Sequence, residues 1–426
     1  MTADAPNAHT ARPERKIRSI LVVGAGLAGF ETVRALRDHS FAGHITLLGA
    51  EGIAPYDRPP LSKELLARTT PAWLTEDQHF DLEAAVDDLR LGDPAVALTV
   101  SDTSAEVTTS AGTYRADAVV LACGARARRP AGWESALTLH TAADADALRA
   151  ALETGRHLVC IGAGWIGGEL AGVARAAGLQ VTVIEGAVAP LGPILGDRVG
   201  GWLRPWYDAL GITLELGMPV AELTPGRVLL RDSRAVRGDV VVAAVGARPA
   251  TGWLTGALPL APSGSIRVDG GYRVLDLPPH VVAVGDCVER LSARHGWVPG
   301  GHWDAALRGP ELAVRTLLGV ADHAGDPSTD LAPYVFSSQL GHELTLTGLP
   351  RRGDDVVLRE GEPGWAALYF APQSRRGPRE LRAVLTVDRP RDAAAARRMF
   401  RDVALPIADP RIAADAARDL RDAHSE

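Results

Sequence analysis

The stretch that decides the fold is IRSILVVGAGLAGFETVRALRDHSFAGHITLLGAE, residues 17–51 of this 426-residue chain. A short apolar run at residues 19–23 is typical of a strand, and residues 44–51 form a second strand pattern. Between them an amphipathic helical pattern opens on three glycines, Gly24, Gly26 and Gly29. Strand, glycine turn, helix and strand make a βαβ unit of about 30 residues, which predicts a pyrophosphate cradle at the helix N-terminus.

The same order recurs in RHLVCIGAGWIGGELAGVARAAGLQVTVIEG, residues 156–186, with its own three glycines, Gly162, Gly164 and Gly167. Each copy has an acidic residue at the close of its second strand, Glu51 and Glu185, where a carboxylate accepts hydrogen bonds from ribose hydroxyls. One glycine pattern alone is weak evidence, and glycines that serve only tight packing would leave the acids unexplained. Two complete copies therefore predict two dinucleotide sites.

Glu185 favours NADH over NADPH. A carboxylate here bonds the 2′-hydroxyl of NAD and repels a 2′-phosphate. Residues 186–196 contain no Arg or Lys that could receive that phosphate.

Composition narrows the class of protein. The length suits two or three domains, and 46% hydrophobic with 23% charged residues is typical of a globular protein. A formal net charge of −7 disfavours a general nucleic-acid binder, and the apolar runs are too short to span a bilayer. Residues 1–17 are polar and lack an apolar signal-peptide core, so we expect a cytoplasmic protein with a disordered leader over residues 1–16.

Cysteine and lysine usage are both sparse. The three cysteines, Cys123, Cys160 and Cys287, form no CxxC pair, so no local redox disulfide or metal site is readable and a structural role is expected for them. The chain has two lysines, Lys16 in the leader and Lys63 in the body. Where every other cation is an arginine, Lys63 indicates either a site that needs a compact ammonium or a chance surface lysine.

The expected fold is α/β, with two Rossmann-like dinucleotide-binding domains and a C-terminal α+β domain. After residue 321 the pattern changes to alternating strands followed by Ala- and Arg-rich helices. The predicted bounds are 17–118 with 245–320 for a discontinuous first dinucleotide-binding domain, 119–244 for the second and 321–426 for the third domain.

Six motifs occur in a characteristic order: GAGLAGFE, PYDRPPLSK, ACGARARR, GAGWIGGE, VGARP and VGDC followed by GHWDAA. With them the chain resembles the FAD-dependent ferredoxin–NAD(+) reductases that supply bacterial cytochrome P450s and Rieske oxygenases, the putidaredoxin reductase and biphenyl dioxygenase reductase type. The resemblance is strong over residues 17–318 and looser beyond. It implies an enzyme that takes hydride from NADH onto FAD and passes electrons one at a time to a [2Fe–2S] ferredoxin, without nucleic-acid or membrane partners.

The resemblance also implies the site residues. Lys63 is expected to pair with Glu169 beside the flavin ring, as the catalytic pair, because a nearby cation favours the reduced flavin. The residues implied for FAD are Gly24, Gly26, Gly29, Glu51, Arg58, Lys63, Val96, Cys123, Gly124, Arg129, Asp286, His302, Trp303 and Phe336. Those implied for NAD are Gly162, Gly164, Trp165, Ile166, Gly167, Glu169, Glu185 and Gly246.

Several positions depart from the family pattern, most of them on the electron-acceptor side. Phe336 stands for the usual flavin-proximal tryptophan, and the others are Ser338 for Asp, Gly301 for Glu, Ala305 for Asn, Cys123 for Thr and Pro193 for a basic residue.

The acceptor side therefore leaves alternatives open. Direct reduction of a small molecule or oxygen, and a non-catalytic redox sensor, stay as alternatives to ferredoxin reduction. Five arginines indicate either a docking face for an acidic ferredoxin or ordinary loop residues: Arg351, Arg352, Arg375, Arg376 and Arg379.

Overall fold

The computed structural model describes residues 16–320, 329–372, 377–402 and 404–424. Apart from Lys16, the predicted disordered leader lies outside these ranges.

The strands, in chain order, are β1 (Ser19–Val23), β2 (His44–Leu48), β3 (Tyr56–Asp57), β4 (Ala72–Trp73), β5 (Asp88–Arg90), β6 (Ala95–Val100), β7 (Ala105–Thr109), β8 (Thr113–Ala116), β9 (Ala118–Leu121), β10 (Ala125–Ala127), β11 (His157–Ile161), β12 (Gln180–Glu185), β13 (Thr213–Leu216), β14 (Val220–Thr224), β15 (Arg227–Leu230), β16 (Ala235–Arg237), β17 (Val240–Ala243), β18 (Ala247–Pro249), β19 (Ile266–Val268), β20 (Val281–Ala283), β21 (Val288–Ser292), β22 (Gly296–Pro299), β23 (Tyr334–Gln339), β24 (His342–Gly348), β25 (Asp355–Gly361), β26 (Gly364–Phe370), β27 (Arg379–Val387) and β28 (Ile407–Ala408).

The α-helices are α1 (Leu27–Asp38), α2 (Pro60–Lys63), α3 (Leu74–Asp77), α4 (Leu82–Ala85), α5 (Ala142–Thr154), α6 (Trp165–Ala176), α7 (Gly192–Leu195), α8 (Asp197–Gly201), α9 (Arg204–Ala209), α10 (Trp303–Leu317), α11 (Pro390–Met399) and α12 (Pro410–Ala414).

The first unit is built on a parallel sheet in the order β20-β9-β1-β2-β5, with β6, β7 and β8 as an antiparallel addition. The helix between β1 and β2 turns Phe30, Val33 and Leu36 toward the sheet, and all three are fully buried, as their helical spacing predicts. Strands β1, β2 and β9 consist almost wholly of buried residues, because a parallel sheet is covered on both faces.

The second unit repeats this arrangement. Its parallel sheet runs β13-β12-β11-β17, and β14, β15 and β16 form the antiparallel addition. The predicted boundary between residues 118 and 119 was wrong, because it falls within β9, which pairs with β1 and β20 of the first sheet. A buried apolar strand does not reveal by its composition which sheet it joins. The connecting segments β10 and β18 pair with each other between the two units.

The third unit is an antiparallel sheet in the order β23-β24-β27-β26-β25, with β28 beside β27 and α11 against one face. Its other face packs on the second unit, where Trp202 meets Trp365 edge to face at 5.4 Å and the Tyr369 hydroxyl donates to the Leu195 carbonyl at 2.9 Å. The expected α/β class with a C-terminal α+β unit is confirmed. None of the described helices is long and apolar enough to cross a bilayer.

Candidate functional site

A cavity of about 760 Å³ lies where the three units meet. It opens at the carboxyl ends of β1, β2 and β9, the edge at which parallel α/β sheets bind ligands. Its walls also include the first turn of α6 from the second unit and residues 334–336 of β23 from the third. A ligand in this cavity would contact all three units at once.

The first glycine turn forms one end of the cavity. Gly24 has a φ of +116°, and a Cβ there would overlap the carbonyl oxygen of Ala122. Its backbone N–H donates to the Leu48 carbonyl at 2.7 Å, which closes the turn between β1 and β2. Gly26 faces open space, whereas Gly29 packs on the Gly24 carbonyl and does not line the cavity. The turn thus exposes backbone N–H groups at the start of α1, as a pyrophosphate cradle requires.

Glu51 lies at the cavity but not at the end of a strand. The predicted strand over residues 44–51 ends at Leu48, so the expectation for Glu51 was wrong in this respect. Its carboxylate accepts from the Tyr56 hydroxyl at 2.6 Å and from Arg58 at 2.5 Å. Burial works against the Arg58 charge, but Tyr56 and Glu51 hold the pKa of its guanidinium above the usual value. Tyr56 was not among the predicted site residues.

Val96 is directed away from the cavity and is 53% exposed, so its predicted place in the site was wrong. Its neighbour Ala95 lines the cavity instead. Alternate residues of a strand point to opposite faces, and a register shift at Ala95 and Ala97 adds to the offset. A prediction that is wrong by one residue therefore names a side chain on the face of β6 that points away from the cavity.

The start of α10 forms the opposite wall. The Asp286 carboxylate accepts from the Gly301 N–H at 3.2 Å, and Trp303 Nε1 donates to Asp57 at 2.7 Å. Burial raises the pKa of Asp57, with the Trp303 bond opposing that effect. Both ring nitrogens of His302 are buried without a hydrogen-bond partner among the described residues, and burial lowers the pKa of this imidazole. Because buried polar atoms are normally hydrogen-bonded, these two nitrogens are free to bond a ligand in the cavity that His302 lines.

Lys63 and Glu169 form an ion pair across the interface between the first and second units. The Glu169 carboxylate is buried and also accepts from the Ser62 hydroxyl at 2.5 Å and the Ser337 hydroxyl at 2.6 Å. The Lys63 ammonium lies 5.2 Å from the centroid of the Phe336 ring, within cation–π range. The resemblance implied the Lys63–Glu169 pair, but neither serine was predicted, because Ser62 and Ser337 are 107 and 168 residues from Glu169 in sequence.

Phe336 belongs to an aromatic cluster on the cavity wall. Its ring meets Trp303 edge to face at 5.7 Å and Tyr334 at 6.4 Å. All three rings line the cavity, so the third unit closes the site with aromatic surface.

The second glycine turn has the same backbone geometry as the first but lies outside the shared cavity. Gly162 has a φ of +110°, and its N–H donates to the Ile184 carbonyl at 2.7 Å. Glu185 is the last residue of β12, and its carboxylate accepts from the N–H groups of Ala163 and Ala187, both at 2.7 Å. The NAD residues predicted from the resemblance divide into two groups. Trp165, Ile166 and Glu169 line the shared cavity, whereas Gly162, Gly164, Gly167, Glu185 and Gly246 lie outside it.

The cavity residues fit FAD. A tight glycine turn at a helix N-terminus suits the pyrophosphate, and the unpartnered imidazole of His302 gives a polar contact for the flavin end. The remaining predicted FAD residues also line the cavity: Arg58, Cys123, Gly124, Arg129 and Asp286. The other two cysteines, Cys160 and Cys287, are fully buried, and burial raises the pKa of Cys160 to about 12.

Two Rossmann-like units that share one cavity, closed by a third unit, define a pyridine-nucleotide-linked oxidoreductase. Residues 18–314 match the family model described as pyridine nucleotide-disulphide oxidoreductase, and residues 334–424 match the one described as reductase C-terminal. The chain belongs to this family and, within it, to the ferredoxin reductases. Membership makes it an NADH-dependent oxidoreductase that uses FAD.

Three similar proteins illustrate the relationship. The ferredoxin reductase component of chlorobenzene dioxygenase from Cupriavidus sp. (strain PS12) is 33% identical over 417 residues, 95% of this chain and 97% of that protein. The ferredoxin reductase for the CYP199A2 system from Rhodopseudomonas palustris has a TM-score of 0.84 at 27% identity, covering 96% of this chain and all of that one. The covalent putidaredoxin reductase–putidaredoxin complex gives 0.84 at 26% identity, covering 95% and 97%.

Proposed function

We propose that this protein oxidises NADH at a bound FAD and passes the electrons one at a time to a [2Fe–2S] ferredoxin that serves a P450 or Rieske-type oxygenase. The observation that carries the proposal is the shared cavity, where the first turn of α6, Lys63 and the aromatic wall of β23 converge. FAD supplies the chemistry that couples two-electron oxidation to one-electron delivery.

The first unit holds FAD in this proposal. Gly24 and Gly26 receive the pyrophosphate, and Asp286 and His302 contact the ribityl and flavin end. The helix α1 contributes its N-terminus to the phosphates, and Arg58 and Arg129 add positive charge at the same cavity. Because residues from all three units line the cavity, FAD held there is expected to stay bound during turnover.

The second unit holds NADH. Its glycine turn and Glu185 bind the adenosine half, and the nicotinamide reaches the cavity past Trp165 and Ile166, which line its wall. Lys63 and Glu169 orient the reacting end. With both cofactors bound, these residues would orient the nicotinamide toward the flavin, so the chain would contribute orientation rather than acid–base catalysis.

Ferredoxin is the acceptor that the relatives support. The Cupriavidus relative is named as the ferredoxin reductase component of a dioxygenase, and the Rhodopseudomonas structure as the ferredoxin reductase of the CYP199A2 system. The third is a covalent complex of putidaredoxin reductase with putidaredoxin. The five arginines considered for docking stay a prediction. Arg351 donates to the His295 carbonyl and Arg379 pairs with Asp355, while Arg375 and Arg376 lie outside the described residues. We propose a cytoplasmic location, where NADH and the oxygenase partners meet.

One three-way assay tests the function. The purified flavoprotein is reduced with NADH, and cytochrome c reduction is followed with and without a [2Fe–2S] ferredoxin. Strong stimulation by ferredoxin is the expected result. Rapid reoxidation by air without ferredoxin stimulation would identify direct reduction of oxygen or a small molecule. A long-lived NADH-reduced form in air, also without stimulation, would identify a redox sensor.

A further inference from the structure

The carboxylate of Glu169 is held by donors from both other units. Oε1 accepts from the Lys63 ammonium and from the Ser337 hydroxyl, and Oε2 accepts from the Ser62 hydroxyl. Glu169, Ser62 and Ser337 are all buried, with Ser337 only 1% exposed. Since a buried carboxylate is stable only when its lone pairs are satisfied, each donor matters to its position.

Gln339 fixes the direction of the Ser337 hydroxyl. Its side-chain Nε2 donates to Ser337 Oγ at 3.1 Å and to the Trp165 carbonyl at 3.2 Å. The carbonyl can only accept, which sets the orientation of the amide. A serine hydroxyl has one proton, so with the Gln339 bond accepted that proton points to Glu169. Gln339, Ser337, Glu169 and Lys63 therefore form one directed chain of hydrogen bonds.

The helix that carries Glu169 lies directly against the strand that carries Ser337. A Cβ at Gly168 would overlap the Gln339 amide, and one at Gly172 would lie 3.0 Å from the Leu340 nitrogen. These two glycines are one turn apart and let α6 approach the end of β23 closely. The same strand places Phe336 at the cavity, 5.2 Å from Lys63.

We propose that Ser337 and Gln339 are positioning residues for NADH oxidation. By fixing the Glu169 carboxylate they set where the Lys63 ammonium lies and how much of its charge is directed to the cofactor rather than to Glu169. Without the Ser337 proton, Oε1 keeps Lys63 as its one donor and draws the ammonium more strongly. Less of the ammonium's positive charge is then available to stabilise the reduced flavin. This inference rests on the proposed function.

The test compares Ser337→Ala with Ser338→Ala. Ser338 is the next residue of β23, on the opposite face, and its hydroxyl donates to Glu343 at 2.9 Å outside the cavity. Anaerobic stopped-flow reduction by NADH should be about tenfold slower in Ser337→Ala, equivalent to about 1.4 kcal/mol. The flavin midpoint potential should become more negative, while the NADH dissociation constant stays within about twofold. Ser338→Ala should match the parent protein in all three.

Gln339→Leu should shift the rate and the potential in the same direction by less. The double variant Ser337→Ala/Gln339→Leu should be no slower than Ser337→Ala, because both residues act through one carboxylate. Ser337→Thr, which keeps the hydroxyl, should restore rate and potential. If Ser337→Ala does not retain FAD, Ser337→Thr against Ser337→Val in the flavin-loaded protein gives the same comparison.

A purely structural role for Ser337 would lower thermal stability while leaving the potential unchanged, and that result would overturn the inference. Equal effects of Ser337→Ala and Ser338→Ala, or additive effects in the double variant, would overturn it as well. Failure of the proposed function is a separate result: the parent protein itself would then not be reduced by NADH.

Discussion

In the first βαβ unit the Gly24 N–H donates to the Leu48 carbonyl at 2.7 Å, and in the second the Gly162 N–H donates to the Ile184 carbonyl at the same distance. The two turns are equivalent, yet the residue that follows the accepting carbonyl differs between them. Gly49 follows Leu48, and a Cβ there would lie 2.9 Å from the Ala25 side chain, whereas Glu185 follows Ile184 and binds the Ala163 N–H. The backbone makes a dinucleotide cradle in both units, and residues outside the glycines decide what each one serves.

A buried glutamate makes the same point. Glu31 and Glu169 occupy the same position, seven residues after the first glycine of each turn. Glu169 reaches the shared cavity and has three donors. Glu31 does not line the cavity, has Arg34 at 3.7 Å, and its Oε1 lacks a hydrogen bond among the described residues. A position repeated in the two units therefore contacts the shared cavity in only one, through partners supplied by other parts of the chain.

The largest expected effect separates the two glycine turns. Gly24→Ala and Gly162→Ala each place a methyl group against a backbone carbonyl at positive φ, a strain of roughly 2–5 kcal/mol. Gly24→Ala should lose FAD, whereas Gly162→Ala should keep it and bind NADH weakly. Flavin absorbance after gel filtration and NADH titration measure the two outcomes. Loss of FAD in Gly162→Ala with retention in Gly24→Ala would reverse the assignment of the units.

Next in size is the loss of the cation that joins the units. Lys63→Ala should slow anaerobic flavin reduction by NADH roughly a hundredfold, the scale for removing one preorganised charge-stabilising group. Lys16→Ala removes the other lysine of the chain, outside the cavity, and is the matched control. Unchanged reduction kinetics in Lys63→Ala would exclude a role for this ammonium beside the flavin.

A smaller effect tests the acid of the second unit. Glu185→Ala should lower the preference for NADH over NADPH, as the ratio of kcat/KM values, about tenfold, because repulsion of the 2′-phosphate is removed. Glu51→Ala, which removes the acid predicted for the first unit, should leave that ratio unchanged. A parent protein that uses NADPH as well as NADH would show that Glu185 does not select the nucleotide.

The smallest effect concerns stability and pH. Burial raises the pKa of Glu31, partly offset by Arg34, so the folded state holds its proton more tightly than the unfolded state. This group therefore costs stability as pH rises above the ordinary glutamate range, and the cost is absent below it. Glu31→Gln should be stabilising at pH 7 by less than about 1 kcal/mol and neutral near pH 4. Chemical denaturation at both pH values measures it; Glu169→Gln, which weakens the bond to Lys63, should destabilise at pH 7.

The parts of the site that are built from local motifs could be predicted from the sequence. The glycine turns and the motif around Lys63 were readable because their residues are neighbours in the chain. The predictions were wrong where the outcome depended on the direction of a side chain or on which sheet a strand joins. Val96 lies on the outer face of β6, Glu51 lies beyond β2, and β9 belongs to the first sheet. Ser62, Ser337 and Gln339 carry no signature of their own, because hydroxyls and amides acquire a role only through their partners.

By itself the sequence determined the two dinucleotide folds and the class of the enzyme, and it predicted from Glu185 a preference for NADH. Glycine spacing and strand hydrophobicity act over a few residues, so they are legible in one dimension. Only the tertiary structure decided that the units share one cavity, that Trp303 bonds Asp57 across 246 positions, and that Ser337 holds Glu169 across 168. Such contacts depend on how whole sheets pack, which composition and spacing leave undetermined.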